Sequence, residues 1–401
     1  MNDTRPLRGL SVVEFGNFIA GPYACMLLAD MGADVIKVEA VDGGDMARHT
    51  PPFVDGHSAS FMALNRNKRS IALDLKTDRG REVATRLIRR ADALVENFRP
   101  GVMDKLGLGK EAMTALNPRL VYVAVSGFGQ TSSERGHAAV NLIIEAASGT
   151  LSVSGEPGRM PVRPGIQTGD MIGALFAAYA ALSGLLGAAR HGEGRFADVS
   201  LIEASVGAAA FETAEYLATH RVPLPLGNRH RLTAPYQLFE TQDGRHIALG
   251  APNDALFGRL CQVLGVEPLA GDPRFARYAD RKRHEDELVP LIQAEVAGRS
   301  ADELVQALRR AGVPCSLVRN YEEVLRGGHG TERGLVAIAP HTELGSYETV
   351  RNPILLDHGT PAITRGAPLL GEHTDELLAE LGYAESERLA LVDAGAAGGR
   401  A

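Results

Sequence analysis

The chain has 401 residues, of which 45% are hydrophobic and 23% are charged, and its formal net charge is −7. This length is sufficient for two domains, and the composition is that of a soluble globular protein. No basic block stands out, which argues against nucleic acid as a partner. Three widely separated cysteines without a CxxC pair argue against a disulfide framework or a metal site, and they predict a cytoplasmic protein.

Two segments bear on membrane association. The N-terminus has no long apolar stretch after its basic residues, so it does not resemble a secretory signal. Residues 171–189 are uncharged, and a stretch of about 20 apolar residues is the length that crosses a bilayer. Because this stretch is mostly Ala and Gly and has no counterpart elsewhere, it predicts a buried core helix and no membrane partner.

The N-terminal half alternates strand and helix patterns. Strands are predicted over 10–15, 34–39, 70–75, 93–96 and 120–126, with helices over 23–31 and 79–90. Such alternation predicts an α/β fold with a largely parallel sheet and helices on both of its faces.

The C-terminal half has a different pattern, which begins at the Pro-rich linker 222–228. A hairpin is predicted over 236–249, with its turn at Asp243-Gly244. Helices are predicted near 253–264, 286–297, 301–311 and 374–381, a strand over 313–318, a loop-rich chain from 331 onward, and a frayed end over 394–401. The predicted parts are a large domain over 1–222, a smaller α+β domain over 223–330, and a C-terminal segment over 331–401.

Three motifs accompany the predicted strands, near the sheet edge where open α/β sheets bind ligands. The turn 16–21 lacks GxGxxG spacing, and it is either a structural turn or a site where backbone N–H groups bind phosphate. Glu39 lies at the end of the next strand, where a dinucleotide enzyme would hold a ribose, so a nicotinamide site is a further alternative. The turn 96–101 has the local pattern of a strand-terminating turn. A basic cluster either binds phosphate or forms a solvated surface, and its members are Arg66, Lys68, Arg69, Lys76 and Arg79.

Two further residues are candidates for chemistry. Asp170 directly precedes the apolar stretch, where aspartate is a preferred helix N-cap. A carboxylate at a helix N-terminus is also kept ionised by the helix dipole, and nearby N–H groups can stabilise the oxyanion formed when a thioester is attacked. His137 lies in a Gly-flanked loop and is either structural or a proton-transfer residue.

Ten segments, taken in order, resemble the class III CoA-transferases, the family of formyl-CoA transferase and carnitine CoA-transferase. They are LRGLSVVEF, AGPYACMLLADMGADVIKVE, GDMAR, NRNKRSIALDLK, VENFRPGVMDKLGL, NPRLVYVAVSGFGQ, GDMIGALFAAYAAL, GEGRFADVSL, GVPCSLV and PLLGEHTDELLAELG. The resemblance implies a Rossmann-like large domain that includes the C-terminal segment, a small domain, and a homodimer of interlocked rings.

The resemblance also implies a site. The family's nucleophilic aspartate falls on Asp170, which implies a mixed anhydride and then an aspartyl-CoA thioester, with acyl-CoA as substrate and no tightly bound cofactor. The CoA-contacting positions of formyl-CoA transferase fall on Phe18, Ile19, Ala20, Leu73, Lys76, Asn97, Phe98, Lys105 and Ala138.

Several positions depart from formyl-CoA transferase. An Arg at the nucleotide end is Ala40 here, a second Arg is Lys105, a Gln near the acyl group is Ile19, and residues 227–230 replace a run of four glycines. The pattern is closer to relatives that use succinyl-CoA and a dicarboxylic acid such as glutarate or itaconate. The residues hypothesised to bind a distal carboxylate are Arg48, Arg229, His230 and Arg231.

The main alternative function is an isomerase. The α-methylacyl-CoA racemases share this fold and CoA site, and they move an α-proton with a GHD-type histidine and an aspartate. Gly136 and His137 match the start of that motif, but Ala138 replaces its Asp. A transferase is therefore preferred over an isomerase that uses His137 and Asp170, and over a non-catalytic CoA-binding protein.

Overall fold

The computed structural model describes residues 5–357, 359 and 361–398. The chain divides into two compact units. The first unit comprises the described residues of Met1–Thr150, Pro164–Thr219 and Gly330–Ala401, and the second comprises Leu151–Arg163 and His220–His329.

The strands of the described chain are β1 Ser11–Phe15, β2 Asp34–Glu39, β3 Phe53–Val54, β4 His57–Ser58, β5 Lys68–Leu73, β6 Ala93–Glu96, β7 Val121–Ser126, β8 Phe196–Ser200, β9 Tyr236–Glu240, β10 His246–Gly250, β11 Cys315–Leu317, β12 Val336–His341, β13 Gly345–Val350 and β14 Ala397–Gly398. The helices are α1 Ala20–Asp30, α2 Ala59–Asn65, α3 Asp78–Arg90, α4 Val102–Lys105, α5 Lys110–Leu116, α6 Asn141–Ala147, α7 Thr168–His191, α8 Leu201–Ala208, α9 Ala210–Thr219, α10 Asp254–Leu264, α11 Pro268–Gly271, α12 Tyr278–Arg283, α13 Glu285–Ala297, α14 Ala301–Arg310, α15 Tyr321–Arg326, α16 Gly328–Glu332, α17 Thr374–Glu380 and α18 Glu385–Asp393. Short 3₁₀ turns occur at Met46–His49 and Thr150–Val153.

The first unit is built on one sheet with the strand order β14-β5-β2-β1-β6-β7-β8. Strands β5, β2, β1, β6, β7 and β8 are parallel, and β14 pairs antiparallel with β5 at one edge. The predicted α/β fold with a largely parallel sheet is confirmed. The chain builds outward from β1 through β2 to β5, and then crosses to the other side of β1 to form β6, β7 and β8.

Two apolar layers cover the faces of this sheet. Helices α1 and α7 pack on one face against alternate side chains of the strands, such as Val12, Val95 and Val123. Helices α3, α5, α17 and α18 cover the other face, where Phe15 and Leu94 lie. Because α17 and α18 come from the C-terminal end, both ends of the chain contribute to this core.

Helix α7 contains the stretch predicted to be a core helix, and it is also long and apolar enough to be a membrane-span candidate among the described residues. Its Ala/Gly face is buried, and a Cβ at Gly184 would lie 2.4 Å from Val121, so the helix lies close to the sheet. Its other face is exposed and carries Phe176 and Tyr179. The helix ends where Gly192 adopts a positive φ of 77°.

The second unit contains the antiparallel sheet β9-β10-β11 and the helices α10 to α14, and α10, α13 and α14 share one core with the sheet. The predicted hairpin pairs as expected, with Tyr236 opposite Gly250 and Glu240 opposite His246. The predicted helices and the strand near 315–317 are also present. Nothing in the sequence indicated that residues 151–163 belong to this unit.

The C-terminal segment departs in two places from the predictions made for it. The prediction of a frayed end over 394–401 is wrong for residues 397 and 398, because Ala397 pairs with Leu73 and Gly398 with Ala72 at the sheet edge. Residues 399–401 of that prediction lie outside the described residues. The segment from 331 is loop-rich as predicted in the described residues between β13 and α17, but β12 and β13 form an unpredicted hairpin and α18 follows α17. An Ala/Gly-rich sequence carries little strand propensity, so only the open edge of β5 explains the final strand.

Candidate active site

The carboxyl ends of β1 and β6 form a topological switch point. The chain leaves β1 into α1 on one face of the sheet, and it leaves β6 towards α5 on the opposite face. The two strands are register neighbours that end together at Phe15 and Glu96. Open α/β sheets bind ligands in the crevice between such diverging connections. The predicted motifs 16–21 and 96–101 are the two loops that flank this crevice.

Asn97 joins these two loops. Its Oδ1 accepts from the backbone N–H of Asn17 at 2.7 Å, and its Nδ2 donates to the Asn17 carbonyl at 2.9 Å. A Cβ at Gly21 would lie 3.1 Å from the Asn97 side chain and 3.3 Å from the backbone of Gly16. The glycines therefore allow a close approach, and Asn97 fixes the loop through hydrogen bonds to the backbone.

Phe18 has a positive φ of 69°, which is uncommon for a residue other than glycine. Its backbone N–H donates to Oδ1 of Asp45 at 2.9 Å, and its side chain is exposed. Asp45 also accepts from the N–H of Ala47, and its other oxygen pairs with Lys37 at 2.8 Å. This network keeps the strained backbone in place, as strain at a functional loop requires.

Lys37 is at the centre of a fully buried charge network. Its Nζ contacts Glu14 at 2.7 Å and donates to the carbonyl of Gly16 at 2.9 Å, while Lys68 contacts the second oxygen of Glu14 at 2.7 Å. Burial alone would raise the pKa of Glu14, but the two lysines hold it below its ordinary value. Burial opposes the charge of Lys37 as well, yet Glu14 and Asp45 keep its pKa raised.

Both alternatives for the basic cluster near β5 are wrong for most of its members, because these side chains are paired with acidic residues inside the protein. Arg66 is buried and forms a bidentate pair with Asp30. Lys68 is buried against Glu14, and Arg69 pairs with Asp34 and with two glutamates of α17. Only Lys76 and Arg79 are exposed, and Lys76 lies just after the carboxyl end of β5.

The other predicted CoA positions lie along the same edge or in the loops that follow it. Ile19 is the N-cap of α1 and Ala20 its first residue, so both adjoin Phe18. Leu73 is buried at the end of β5, and Phe98 follows Asn97 and packs on the core. Lys105 is exposed at the end of α4, and Ala138 is exposed in the loop before α6.

Two buried glutamates end strands at this edge. Burial raises the pKa of Glu96 to about 8, and its Oε2 accepts from the N–H of Phe98. Glu39, the residue that a nicotinamide site would use for a ribose, is fully engaged within the protein. Its oxygens accept from Arg48, Ser70 and the N–H of Asp45.

Asp170 lies in the first turn of α7. The helix begins at Thr168 with Gln167 as the N-cap residue, so the expectation that Asp170 caps the helix is wrong. A Cβ at Gly173 would touch Leu201, which follows β8, whereas Gly184 lies against Val121 at the start of β7. Helix α7 therefore runs antiparallel to the strands, and Asp170 lies at the same edge as the switch-point loops.

Asp170 is 9% exposed, and its carboxylate accepts no hydrogen bond from any described residue. Burial raises its pKa to about 6, and the nearby charge of Glu145 adds to this effect. Glu145 is completely buried and accepts from both the N–H and the hydroxyl of Thr168, so it caps the helix from α6. Because the site raises the pKa of the carboxyl group, the expectation that the helix keeps it strongly ionised holds only above about pH 6.

Asn141 completes the surroundings of Asp170. Its Oδ1 accepts from the Asp170 N–H at 3.2 Å, while its Nδ2 is buried without a hydrogen-bond partner in the described structure. A Cβ at Gly169 would lie 3.2 Å from this Oδ1, so the approach requires glycine. The sequence motifs did not indicate Asn141 or Glu145, although two polar residues spaced i and i+4 in an apolar helix were a usable signal.

The remaining predicted residues have local partners of their own. His137 is exposed, and its ring packs edge-on against Phe128 at 5.9 Å. The guanidinium of Arg48 is paired with Glu39, donates to a backbone carbonyl, and lies 3.8 Å over the ring of Phe61.

The other three hypothesised carboxylate ligands belong to the second unit. Arg229 pairs with Asp286, His230 stacks on Tyr236 at 4.6 Å, and Arg231 donates to the carbonyl of Leu224. Among the described residues, no group of three or more His, Cys, Asp or Glu side chains is arranged to hold a metal ion.

Comparison with known proteins assigns the family. A family model described as CoA-transferase family III matches residues 7–374. The chain is 37% identical over 387 residues to the succinate–glutarate CoA-transferase of Agrobacterium fabrum, covering 95% of this chain and 96% of that protein. It is 36% identical over 392 residues to the succinyl-CoA–D-citramalate CoA-transferase of Chloroflexus aurantiacus, covering 97% of each. A crystal structure of a CAIB/BAIF family protein from Brucella suis superposes with a TM-score of 0.84 at 35% identity, covering 94% of this chain and 100% of that one. The chain therefore belongs to CoA-transferase family III.

Proposed function

We propose that this CoA-transferase moves CoA from succinyl-CoA to a dicarboxylic acid through covalent intermediates on Asp170. The observation that carries the proposal is the position of Asp170, a buried carboxylate without hydrogen-bond donors at the edge where the switch-point loops lie. A carboxylate that is largely shielded from solvent and accepts no hydrogen bond from the described residues is a stronger nucleophile than one in water, once it is ionised. Relatives named for succinyl-CoA and for dicarboxylic acceptors support the choice of substrates.

The chemistry requires no external base. An oxygen of Asp170 attacks the thioester carbon, the C–S bond breaks, and CoA leaves as the thiolate. The thiolate then attacks Cγ of Asp170, the bond from Cγ to the acyl oxygen breaks, and succinate leaves. The acceptor carboxylate attacks the same Cγ and releases the thiolate, which returns to the acceptor acyl carbon and regenerates Asp170.

The switch-point loops are proposed to hold CoA. The loop 16–21 offers backbone groups at the start of α1, where a helix N-terminus favours negative charge. The exposed ring of Phe18 provides an apolar surface, and the exposed Lys76 and Lys105 provide positive charge. Asn97 acts on the loop backbone, so its proposed contribution is to shape the site.

A homodimer belongs to this proposal. Helices α7 and α9 expose large apolar side chains of the first unit, a set far beyond scattered surface residues. They are Leu175, Phe176, Tyr179, Leu182, Leu186, Phe211, Tyr216 and Leu217. A second copy of this chain is the expected partner for such a surface, in the interlocked arrangement that the family resemblance implies.

The test is covalent trapping. The protein is incubated with succinyl-CoA, quenched with hydroxylamine or borohydride, and the modified residue is mapped by mass spectrometry. Modification at Asp170 that is lost in Asp170→Ala is expected, and a panel of dicarboxylic acids then identifies the acceptor. Exchange of the α-hydrogen with heavy water, without any modification of Asp170, would instead support an isomerase.

A further inference from the structure

Asn141 is the one polar side chain that both contacts the backbone of Asp170 and has an unused buried donor in the described structure. It is 7% exposed at the start of α6, and its Oδ1 is fixed by the Asp170 N–H at 3.2 Å. Its Nδ2 is buried and has no hydrogen-bond partner among the described residues. A buried N–H without an acceptor is energetically costly, so a structure that retains one indicates a ligand or a transient charge as its acceptor.

The proposed reaction places a transient charge on the residue whose N–H holds the Asn141 amide. When the thiolate or the acceptor carboxylate attacks Cγ of Asp170, the electron pair of the C=O bond moves onto an oxygen of Asp170 itself. This oxyanion is therefore held by the protein at a fixed position in the first turn of α7. The Asp170 carboxylate has no other donor among the described residues, and the nearby Glu145 is an acceptor of hydrogen bonds from Thr168.

We propose that Nδ2 of Asn141 donates a hydrogen bond to the Asp170 oxygen that becomes negative when Cγ is attacked. This role rests on the covalent function proposed for Asp170. The bond to the incoming sulfur or oxygen forms as the C=O pair moves to oxygen, and the collapse of this intermediate expels the succinate carboxylate or the thiolate. Asn141 holds the charge between these two events and neither gains nor loses a proton.

The orientation of the Asn141 amide supports this role. Only an oxygen can face the Asp170 N–H, so the nitrogen must occupy the other end of the same planar group. The close contact between Gly169 and Asn141 fixes the amide beside the turn that carries Asp170. An aspartate at position 141 would keep the oxygen for the N–H, but it would replace the donor with a second negative charge beside the oxyanion.

Two variants separate the donor from the rest of the side chain. Asn141→Asp keeps the shape and the acceptor but removes the donor, and Asn141→Ala removes both. Removal of one oxyanion-hole donor lowers kcat by about 100- to 1,000-fold. We expect a loss of this size in both variants at pH 8, with KM for succinyl-CoA changed by less than about threefold, because the donor acts on the transition state and not on bound substrate. Asn320→Asp, at an exposed helix N-cap of the second unit, is the matched control and should keep the wild-type rate.

The covalent intermediates provide the decisive readout. Attack on the thioester places the oxyanion on the substrate, whereas attack on Cγ places it on Asp170. In rapid-quench mass spectrometry with succinyl-CoA, the wild type should carry the CoA adduct on Asp170, and both variants should carry a larger share of the succinyl adduct. A CoA adduct that forms at the wild-type rate in folded Asn141→Ala would overturn the role of Asn141. If even the wild type carries no adduct on Asp170, the covalent function itself fails, and this inference fails with it.

Discussion

Replacing Asp170 with asparagine should make the folded protein more stable at neutral pH while it abolishes transfer. The folded site raises the pKa of this carboxyl group from 3.8 to about 6, mainly by burial and secondarily through Glu145. The folded state therefore binds the proton more tightly than the unfolded state, and stability decreases as pH rises from 3.8 through 6. At pH values above this range, the ionised Asp170 destabilises the native state, and the uncharged amide of the Asp170→Asn variant is free of this cost.

The pKa difference between the folded and unfolded states sets the size of the stability gain in Asp170→Asn. About two pKa units correspond to about 3 kcal/mol at pH 8, and the gain shrinks to about half of that at pH 5, where the folded wild type is mostly protonated. For a unit of this size, about 3 kcal/mol raises Tm by about 5 °C or more.

The assay is thermal unfolding of wild type and Asp170→Asn between pH 5 and 8, at one fixed protein concentration because a dimer would make Tm concentration-dependent. Asp78→Asn is the matched control, since Asp78 also lies in a helix first turn of the first unit but has a 97% exposed side chain. Its Tm should not rise. The reasoning is refuted if Asp170→Asn melts at or below the wild-type temperature at pH 8, or if its advantage does not decrease towards pH 5.

Three further substitutions test the surrounding structure. Glu145→Gln should shift the acid limb of the pH profile of kcat/KM to below about pH 6, because the charge that helps to raise the pKa of Asp170 is removed. An acid limb that stays in place would contradict this electrostatic coupling between Glu145 and Asp170. Lys37→Met should lower the free energy of unfolding, measured in urea, by about 3–5 kcal/mol, because Glu14 and Asp45 lose a buried partner. The variant should also raise KM for acyl-CoA, and an unchanged KM would show that this charge network does not shape the loop 16–21 for CoA. Arg281→Met should destabilise the second unit by about 3 kcal/mol in the same denaturation assay, because the buried guanidinium donates to three backbone carbonyls. An unchanged free energy of unfolding would show that water replaces the guanidinium as the donor.

The sequence was informative where local pattern decides the structure. Strand and helix alternation predicted the parallel sheet, because buried parallel strands are continuous apolar runs separated by helix-length segments. The strand over Asp34–Glu39 and the helix near Asp78–Arg90 agree with their predictions within one residue. The role proposed for Asp170 came from a family resemblance, and its place in the first turn of α7 came from the structure.

The buried charges were misjudged because their partners are distant in sequence. Glu14 of β1 is opposite Lys37 of β2, and Lys68 reaches the same carboxylate from β5. A window along the chain contains only Lys68 and its basic neighbours, so it predicts a positively charged surface. Only the strand order β5-β2-β1 places the acids beside the bases, and that order is set by the crossover connections.

The antiparallel strand β14 has a consequence for the synthesis of this protein. The first unit needs Leu377 and Leu391 for its core, and β5 remains an open edge until residues 397–398 pair with it. The ribosome must therefore deliver the chain as far as residue 398 before this unit can close, whereas the described part of the second unit is complete at residue 329. During that interval, the exposed edge of β5 is the segment that needs protection from pairing with other chains. A tag fused directly after residue 398 would be placed beside the strand that makes this final closure.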